Sequence, residues 1–504
     1  MSNPLFDALL APHQGKESSF LILPDGSEMA HSAFLGLANQ MAHALRAADV
    51  GVGDRVAVHV EKTAPALALY AACITAGAVF LPLNTAYTPA ELSYFITDAD
   101  AALVVCDPSE LAALTPIAET CKATILTLDA SGQGSLAYAA AQHPTEFTPV
   151  PRGKNDLAAL LYTSGTTGRS KGAMLTHENL LSNAHALAEE WRFTSDDVLL
   201  HALPIFHSHG LFVACNVSLL AGNAMIFLPK FDQEAILQLL PRATTMMGVP
   251  TFYTRLLEDA RFTRDLVAHM RLFVSGSAPL LAETHLAFEG RTGHRILERY
   301  GMTETNMNTS NPYAGDRRAG TVGFPLKGVE VRVCDPETRA ELPTGEIGML
   351  HVRGPNVFCG YWNMPEKTRE ELLEDGFFIT GDLAKIDADA YVTIVGRGKD
   401  LIISGGFNIY PKEIEMFLDA QSGVKESAVI GAPHPDFGES VVAVLVPEAE
   451  GSIDLDAILA AAKAELAGFK RPRHFAIVDA LPRNTMGKVQ KAEMRKTYAD
   501  VFQA

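Results

Sequence analysis

Short apolar runs rich in β-branched residues alternate with longer helical patterns along much of this chain. RVAVHV (residues 55–60) is followed by a helical pattern at 64–76 and then by AVFLPL at 78–83. A second series starts at AMIFLP (224–229) and reaches LFVSGSAP (272–279). Alternation of this kind is typical of βαβ units, in which helices cover both faces of a parallel sheet. The sequence therefore predicts an α/β fold, with two βαβ-type sheets in a large N-terminal domain.

The pattern changes near residue 325, where short strands separated by Gly, Asp and Asn turns replace the alternation. VEVRVCD and GMLHVRG are examples, and they predict a β-rich segment within the large domain. After Lys399, helical patterns at 411–420 and 454–467 stand between short strands, which predicts a small α+β domain. We therefore expect a boundary that separates residues 1–398 from residues 399–504.

The charge balance restricts the partners that this chain can have. It carries 41 basic and 59 acidic side chains, a formal charge of −18, which disfavours nucleic acid and anionic membranes. Its six cysteines form no CxxC spacing, which favours a reducing compartment. The first residues show no basic region followed by an apolar core, so we expect no secretory signal and a cytoplasmic location.

Two runs without charged residues, 64–83 and 198–229, are long enough to be considered as membrane spans. The first is interrupted by two prolines and a glycine. The second contains three histidines and two asparagines, which are costly to place in lipid. We therefore predict that both runs are buried helices and strands of a globular core.

The stretch TSGTTGRSKG (residues 163–172) predicts a phosphate-binding loop. Backbone N–H groups of a Gly-rich loop can approach an anion closely, and hydroxyls and a lysine supplement them. The stretch is not a standard phosphate loop, because Ser170 stands where that pattern needs its second glycine. The alternative is a flexible surface linker, although a linker rarely follows a buried strand such as LAALLY directly.

Further motifs follow this loop in a fixed order through residues 162–491. They are YTSGTTGRSKG, LPIFHSHG, SGSAP, RYGMTET, GEIG, GYWN, TGDL, GRGKDLIISGGFNIYPKEIE and LPRNTMGKVQK. Each motif alone is weak, but the ordered set closely resembles the acyl-CoA synthetase and adenylation-domain superfamily, which also contains firefly-type luciferases. This chain departs from the family pattern at Ser170, where Pro is common, and at Lys491, where Arg is frequent. Neither change removes a group that the chemistry requires.

The resemblance implies an ATP-dependent ligase with a bound Mg²⁺ and coenzyme A as co-substrate. Members of the family make an acyl-adenylate from a carboxylic acid and ATP, release pyrophosphate, and pass the acyl group to coenzyme A. Lys488 would bridge the attacking carboxylate and the α-phosphate, Thr303 would donate to the α-phosphate, and His207 would act beside the acid. Glu304 and Thr167 would hold the metal. Without the motif, Lys488 would be interpreted as a solvated surface charge.

The resemblance also implies a set of ATP-binding residues. Asp382 would accept hydrogen bonds from the ribose hydroxyls with help from Arg397, although a turn Asp paired with a strand-end Arg is the structural alternative. The implied ATP-binding residues are Thr163, Ser164, Gly165, Thr166, Thr167, Lys171, Ser277, Ala278, Pro279, Glu298, Arg299, Tyr300, Gly301, Thr303, Asp382, Arg397 and Lys488.

The two half-reactions take place at the same carboxyl group. The site must therefore let pyrophosphate leave in the first and admit the thiol of coenzyme A in the second. The family is thought to rotate its C-terminal domain between them, so residues 399–504 are expected to form a mobile lid that carries Lys488, with Lys399 as the hinge. Lys399, Ser404, Gly405 and Gly406 would bind coenzyme A, and the glycines would line a narrow tunnel. The alternative is that SGG is only a turn.

The acid is predicted from HSHGL and RYGMTETNMNTSNPY, which look like the malonyl-CoA synthetases within this superfamily. On that resemblance Arg255 would pair with the distal carboxylate of malonate or methylmalonate, and His207, Ser277 and Met302 would close a small pocket. Alternatively, Arg255 pairs with Glu258 on the helix surface.

Other functions stay open at this point. An acetate- or medium-chain-acid CoA ligase would make Arg255 incidental, and a protein that binds nucleotide without turnover would share the same fold. A metal held by His201, His207 and His209 is disfavoured by their spacing. A lysine acetyltransferase that modifies Lys488 is a further expected partner, because acetylation would remove the same charge.

Overall fold

The chain folds into two compact units in a computed structural model that describes residues 2–163, 170–404, 407–484 and 487–503. One unit comprises Met1–Glu330 and Val352–Phe378, and the other comprises Val331–His351 and Ile379–Ala504. The boundary that the sequence predicts, between residues 1–398 and a mobile lid of residues 399–504, stays a prediction.

Strands and helices alternate as the sequence predicts. The strands are β1 Ser19–Ile22, β2 Glu28–Ala30, β3 Arg55–His59, β4 Val79–Pro82, β5 Leu103–Cys106, β6 Thr124–Thr127, β7 Leu157–Thr163, β8 Lys171–Thr176, β9 Val198–His201, β10 Ala224–Phe227, β11 Thr245–Gly248, β12 Leu272–Ser275, β13 Leu297–Met302, β14 Asn306–Ser310, β15 Phe324–Pro325, β16 Glu330–Cys334, β17 Gly348–Arg353, β18 Phe378–Ile386, β19 Val392–Arg397, β20 Ile402–Ser404, β21 Phe407–Ile409, β22 Val424–His434, β23 Gly438–Pro447 and β24 His474–Ile477. The helices are α1 Pro4–Leu9, α2 His31–Ala47, α3 Ala64–Ala76, α4 Pro89–Asp98, α5 Leu111–Thr120, α6 Ser135–Ala141, α7 His177–Glu190, α8 Asn216–Ala221, α9 Gln233–Leu239, α10 Pro250–Glu258, α11 Arg264–Val267, α12 Ala282–Thr292, α13 Pro365–Glu371, α14 Pro411–Asp419, α15 Leu455–Glu465 and α16 Lys491–Thr497.

Two sheets build the first unit, as the strand–helix alternation predicts. A six-stranded sheet has the order β6-β5-β3-β4-β7-β8, parallel except for the final β7–β8 pair. A nine-stranded sheet has the order β15-β14-β13-β12-β11-β9-β10-β1-β2, and its central strands from β1 to β13 are parallel. Ligands of such sheets bind beyond the carboxyl ends of the parallel strands, and β7, β9, β12 and β13 each end at a predicted motif.

The uncharged run at 64–83 forms α3 and β4, as predicted. Thr63 caps α3 by accepting a hydrogen bond from the N–H of Ala66, and Gly77 ends it in a left-handed conformation. Every residue from Ala66 to Ala76 is buried, so the run is core and not a lipid-facing segment. Among the described residues, no helix has both the length and the apolar character that crossing a membrane requires.

The second unit contains a sheet of order β21-β20-β23-β22, with β24 paired to β23. Helices α14 and α15 cover one face of it, and the side chains of Ile414, Leu418 and Ile458 are buried there. The β-rich segment forms a sheet of order β16-β17-β18-β19, most of which also lies in the second unit.

A lysine is buried in the first unit, beside the carboxyl end of β9. The side chain of Lys62 donates to Nδ1 of His201 at 2.8 Å and to its carbonyl oxygen at 2.9 Å. The ammonium lies 4.2 Å from the ring centroid of Phe227. Burial lowers the pKa of Lys62 to about 7, because removal from water penalises the charged amine.

We expect this lysine to make folding stability depend on pH. An unfolded lysine has a pKa of about 10.4, so the unfolded chain binds more protons than the folded one from about pH 7 to pH 10. Lys62 therefore makes the free energy of unfolding rise with pH in that window, by at most about 1.4 kcal/mol per pH unit. The Lys62→Met variant should lose this rise in urea unfolding at pH 7, 8 and 9, whereas the exposed control Lys230→Met should keep it. Equal slopes in wild type and Lys62→Met would contradict the assignment.

Candidate active site

The predicted phosphate loop connects β7 to β8 in an antiparallel pair. Thr163 ends β7 and lies opposite Lys171, which begins β8, so the loop leaves and re-enters the sheet at one point. Thr176 caps the following helix α7 through a reciprocal pair of hydrogen bonds with Asn179. Predicted ligands within the loop lie outside the described residues; they are Ser164, Gly165, Thr166 and Thr167.

Lys171 and Glu304 meet at the hydroxyl of Tyr361, which comes from the GYWN motif. Residues around Tyr361 add to the edge of β8, where the N–H of Trp362 donates to the carbonyl of Gly172 at 2.7 Å. The Tyr361 hydroxyl lies 3.1 Å from Nζ of Lys171 and 3.0 Å from Oε1 of Glu304. Burial and the neighbouring carboxylates raise the pKa of Tyr361, so it stays protonated. The structure thus brings together a predicted ATP-binding residue and a predicted metal ligand that are far apart in the sequence.

A narrow pocket in the first unit is lined by residues in or after strands of both of its sheets and has His207 and Thr303 in its wall. Asn84, Tyr162 and Phe206 also line it. His207 belongs to the loop after β9, and Thr303 directly follows β13. The structure therefore brings these two predicted residues together in the wall of one pocket, although β11 and β12 separate β9 from β13 in the sheet.

The SGSAP motif forms the turn that follows β12. Ser277 has a φ of 70°, which is unusual for a residue with a side chain and points to a locally constrained backbone. Its neighbours Ala278 and Pro279 are half-buried and exposed, respectively. On β13, the Tyr300 hydroxyl approaches Sδ of Met302 at 3.9 Å, and the N–H of Leu280 donates to Oε1 of Glu298 at 3.2 Å.

Arg299, on β13, is buried to 3% exposure and offers an unused hydrogen-bonding edge. Its Nε and Nη2 have no hydrogen-bond partner among the residues that the structure describes. Burial lowers the pKa of Arg299 to about 9, because removal from water disfavours the charged guanidinium. Nε and Nη2 form the side of the guanidinium that binds a carboxylate through two parallel hydrogen bonds. We refer to these two atoms as the Arg299 fork.

His209 and Gly276 lie beside the Arg299 fork. Nδ1 of His209 is 3.1 Å from Oγ of Ser277. Burial, and then the charge of Arg299, hold the pKa of His209 well below its usual value, so the imidazole is neutral. A Cβ on Gly276 would lie 2.3 Å from Cζ of Arg299, so only glycine fits at this position.

Arg255 lies on the exposed side of α10. Its guanidinium carbon is 5.5 Å from the ring centroid of Phe231, the geometry of a cation–π contact. The predicted pairing of Arg255 with an acid stays a prediction, and the buried Arg299 competes for that role.

In the second unit, Asp382 and Arg397 are opposite each other on β18 and β19. Nε of Arg397 donates to Oδ1 of Asp382 at 2.8 Å, and the carboxylate is almost fully buried. The geometry is compatible with both predictions for these residues, namely that Asp382 binds the ribose of ATP and that the two side chains form only a salt bridge.

Lys399 is exposed in a 3₁₀ turn, Gly398–Asp400, and Ser404 is buried at the end of β20. Gly405 and Gly406 lie outside the described residues.

Lys488 is exposed in a tight turn that precedes α16. The side chain of Asn484 accepts from the N–H of Lys488 at 2.9 Å, and the N–H of Asn484 donates to the Lys488 carbonyl at 2.9 Å. Nη1 of Arg483 donates to the carbonyl of Gly487 at 2.6 Å. These bonds fix the backbone at Lys488.

The predicted motifs are matched by a family model. The model described as AMP-binding enzyme matches residues 11–362. The chain belongs to the AMP-binding enzyme family. A second model, the C-terminal domain of AMP-binding enzymes, matches residues 413–488, which include Lys488.

Known proteins similar to this AMP-binding enzyme include one of nearly identical fold. The crystal structure of ATP-bound MatB from Rhodopseudomonas palustris is 57% identical, with a TM-score of 0.98 and 100% coverage of both chains. A malonate–CoA ligase of Arabidopsis thaliana is 35% identical over 88% of this chain and 78% of its own length. A feruloyl-CoA synthase of an Amycolatopsis species is 36% identical over 98% of each chain.

Sequence reasoning missed several residues of this AMP-binding enzyme site. Arg299 was predicted to bind ATP, which stays a prediction, but its burial within β13 was not foreseen. His209 was considered only as a metal ligand, and among the described residues no group of three His, Cys, Asp or Glu is arranged to hold a metal. Glu371 lies outside every motif, so only the fold places it beside Lys171 at 3.2 Å.

The close approach at Gly276 gives a test of the packing around the Arg299 fork. We expect Gly276→Ala to displace the guanidinium and to lower the free energy of unfolding by about 1–3 kcal/mol, the usual cost of overpacking. Urea unfolding measures this change. The matched control is Gly290→Ala, where a Cβ would meet nothing within 4 Å and the helix should be unharmed or stabilised. A Gly276→Ala variant as stable as the control would show that Arg299 moves freely.

Proposed function

We propose that this AMP-binding enzyme is an acid–CoA ligase that converts malonate, ATP and coenzyme A into malonyl-CoA, AMP and pyrophosphate. Methylmalonate, which differs by one methyl group, is the expected second substrate. The Arg299 fork is the observation that carries the choice of acid. A buried guanidinium with two unused donors is costly unless an anion completes it, and a dicarboxylate supplies one carboxylate for reaction and a second for that fork.

The surroundings of the fork support a small acid. Ser277 and the neutral His209 add polar atoms 3.1 Å apart beside Arg299, whose guanidinium lies directly against Gly276. The malonate–CoA ligase of Arabidopsis thaliana supports the same choice, whereas the feruloyl-CoA synthase relative makes an aromatic acid the competitor to be tested.

The first half-reaction joins two anions, so the site must cancel charge and align the reactants. An oxygen of the malonate carboxylate attacks the α-phosphorus, and the bond from that phosphorus to the bridging oxygen of pyrophosphate breaks. Lys171 and the loop at 163–171 would bind the β- and γ-phosphates, and Thr303 would donate to the α-phosphate. Lys488 would bridge the two reacting groups and stabilise the charge that develops between them.

Mg²⁺ fits the donor chemistry of Glu304. The ion prefers oxygen ligands and keeps several waters, so one carboxylate together with the phosphates is sufficient, and Thr167 is the second proposed ligand. When bound, it would neutralise phosphate charge. The hydroxyl of Tyr361 lies 3.0 Å from Oε1 of Glu304 and can orient that carboxylate until ATP and the metal bind.

In the second half-reaction the thiol sulfur of coenzyme A attacks the acyl carbon, AMP leaves, and the thiol proton is released. Lys399, Ser404, Gly405 and Gly406 are proposed to guide the thiol, with Lys399 as the hinge of a lid formed by residues 399–504. Asp382 and Arg397 would hold the ribose, and the buried position of Asp382 pre-orients its carboxylate.

A panel of acids tests the substrate. Pyrophosphate release that depends on ATP and coenzyme A is measured with malonate, methylmalonate, acetate, succinate, octanoate and ferulate. We expect turnover with malonate, with methylmalonate beside it, and little with acids that lack a second carboxylate. Preference for acetate, octanoate or ferulate would retain the ligase and reject malonate.

Two arginine variants then identify the group that binds the distal carboxylate. We expect Arg299→Met to lower kcat/KM for malonate about 100-fold, because the substrate would keep a buried unpaired charge. ATP affinity should be unchanged, since the fork would not contact the phosphates. Arg255→Ala is the comparison. A larger loss for Arg255→Ala would assign the distal carboxylate to Arg255, and a loss of ATP affinity in Arg299→Met would assign Arg299 to the nucleotide.

The exposed Lys488 turn predicts a split between the half-reactions. Lys488→Ala should abolish adenylation, yet leave thioester formation from supplied malonyl-adenylate within about threefold of wild type, since only the first step needs the bridging charge. The enzyme acetylated at Lys488, which we propose as a regulatory form, should behave alike. Equal losses in both half-reactions would show that Lys488 is structural.

A further inference from the structure

Lys171 is held by a carboxylate that belongs to none of the motifs. Its Nζ lies 3.3 Å from Oε1 and 3.2 Å from Oε2 of Glu371, the last residue of α13. Both side chains are about one-fifth exposed, so the pair is largely shielded from water. Screening is weaker there than on an open surface, and the ion pair stabilises Lys171 in this position.

We infer that Glu371 is a positioning residue. It pairs with Lys171 before ATP binds, and this ion pair breaks when Lys171 binds the triphosphate. The inference rests on the role of Lys171 in the proposed function. Lys171 carries one positive charge, so it cannot fully neutralise a carboxylate and a multiply charged phosphate at the same time, and the two anions compete for it. ATP binding therefore breaks the Lys171–Glu371 ion pair, so that the phosphates replace Glu371 as the partner of Lys171.

Tyr361 supplies the compensation that makes this exchange feasible. Its hydroxyl lies 2.7 Å from Oε2 of Glu371 and 3.0 Å from Oε1 of Glu304. A hydroxyl has one proton, so it donates to one of the two carboxylates at a time. Once Lys171 turns toward the phosphates, the hydroxyl of Tyr361 can donate its hydrogen bond to Glu371.

Lys367 keeps Glu371 from becoming an isolated buried charge after the exchange. Its Nζ lies 3.0 Å from Oε1 of Glu371 and 2.8 Å from Oε2 of Glu370. The carboxylate of Glu371 thus retains a cation and a hydroxyl donor when Lys171 leaves. The exchange costs less than the loss of a lone ion pair would.

The exchange also acts in reverse when pyrophosphate departs. Lys171 would otherwise remain attached to a highly charged product, whereas Glu371 offers it an alternative partner at the same place. Glu371 therefore weakens ATP binding modestly and favours the release of pyrophosphate.

A double-mutant cycle tests the inference through ATP binding in EDTA, without acid or coenzyme A. Isothermal titration calorimetry compares wild type, Glu371→Gln, Lys171→Ala and the double variant. We expect Glu371→Gln to tighten ATP binding about fivefold, the upper range for a partly exposed ion pair. In the Lys171→Ala background the same substitution should change the dissociation constant by less than about twofold.

The neighbouring Glu370 provides a matched control. It lies on the same helix and pairs with Lys367, but its side chain is 63% exposed. Glu370→Gln removes an equal charge, so a general electrostatic effect on ATP would tighten binding in both variants. We expect no change for Glu370→Gln, and Glu371→Ala repeats the test if Glu371→Gln melts at a lower temperature.

The inference is overturned if Glu371→Gln leaves ATP affinity unchanged, or if it tightens binding equally in the Lys171→Ala background. It is also overturned if Lys171→Ala does not weaken ATP binding. Failure of the malonate assignment is recognised separately, because it appears only in the acid panel and the binding cycle contains no acid.

Discussion

The register between parallel strands of the nine-stranded sheet is the constraint on which the site depends. His201 lies beside Met247, and Gly248, Ser275 and Glu298 form one row across three strands. Strands β9, β11 and β12 therefore end at nearly the same level, whereas β13 continues to Met302, and the loops that follow emerge along one edge. A shift of one residue in any pair would turn alternate side chains to the other face of the sheet. His207, Ser277 and Thr303 would then no longer share an edge.

Two cations of the first unit, Arg299 in the nine-stranded sheet and Lys171 in the six-stranded sheet, differ in how their charge is compensated. Arg299 is held away from water with an unused fork, so the protein bears a desolvation cost that a bound anion would offset. Lys171 is instead held by Glu371, and this pair is stable without ligand. The first arrangement favours tight and selective binding of a small anion. The pairing of Lys171 with Glu371 favours reversible binding of a larger anion, as is needed for pyrophosphate, which leaves as a product.

The fold and much of the site could be predicted from the sequence. Lys171, Glu304, Asp382 and Lys488 stand in motifs whose residue types match the chemistry, and the α/β class follows from the strand–helix alternation. Glu371, His209 and the environment of Arg299 could not be predicted, because their roles depend on partners that only tertiary packing brings near. The β-rich segment that the sequence predicts forms a four-stranded sheet, most of which lies in the second unit.

Helix α3 has a consequence for how the first unit unfolds. It contacts no proposed ligand, yet its residues from Ala66 to Ala76 are all buried. Tyr70 packs against Phe80 of the six-stranded sheet and donates to Asn216, on the helix that connects strands of the nine-stranded sheet. The two sheets therefore share one core and form a single cooperative unit. Amide protons of α3 should therefore be among the last in the first unit to exchange with solvent, because the helix opens only when both sheets come apart.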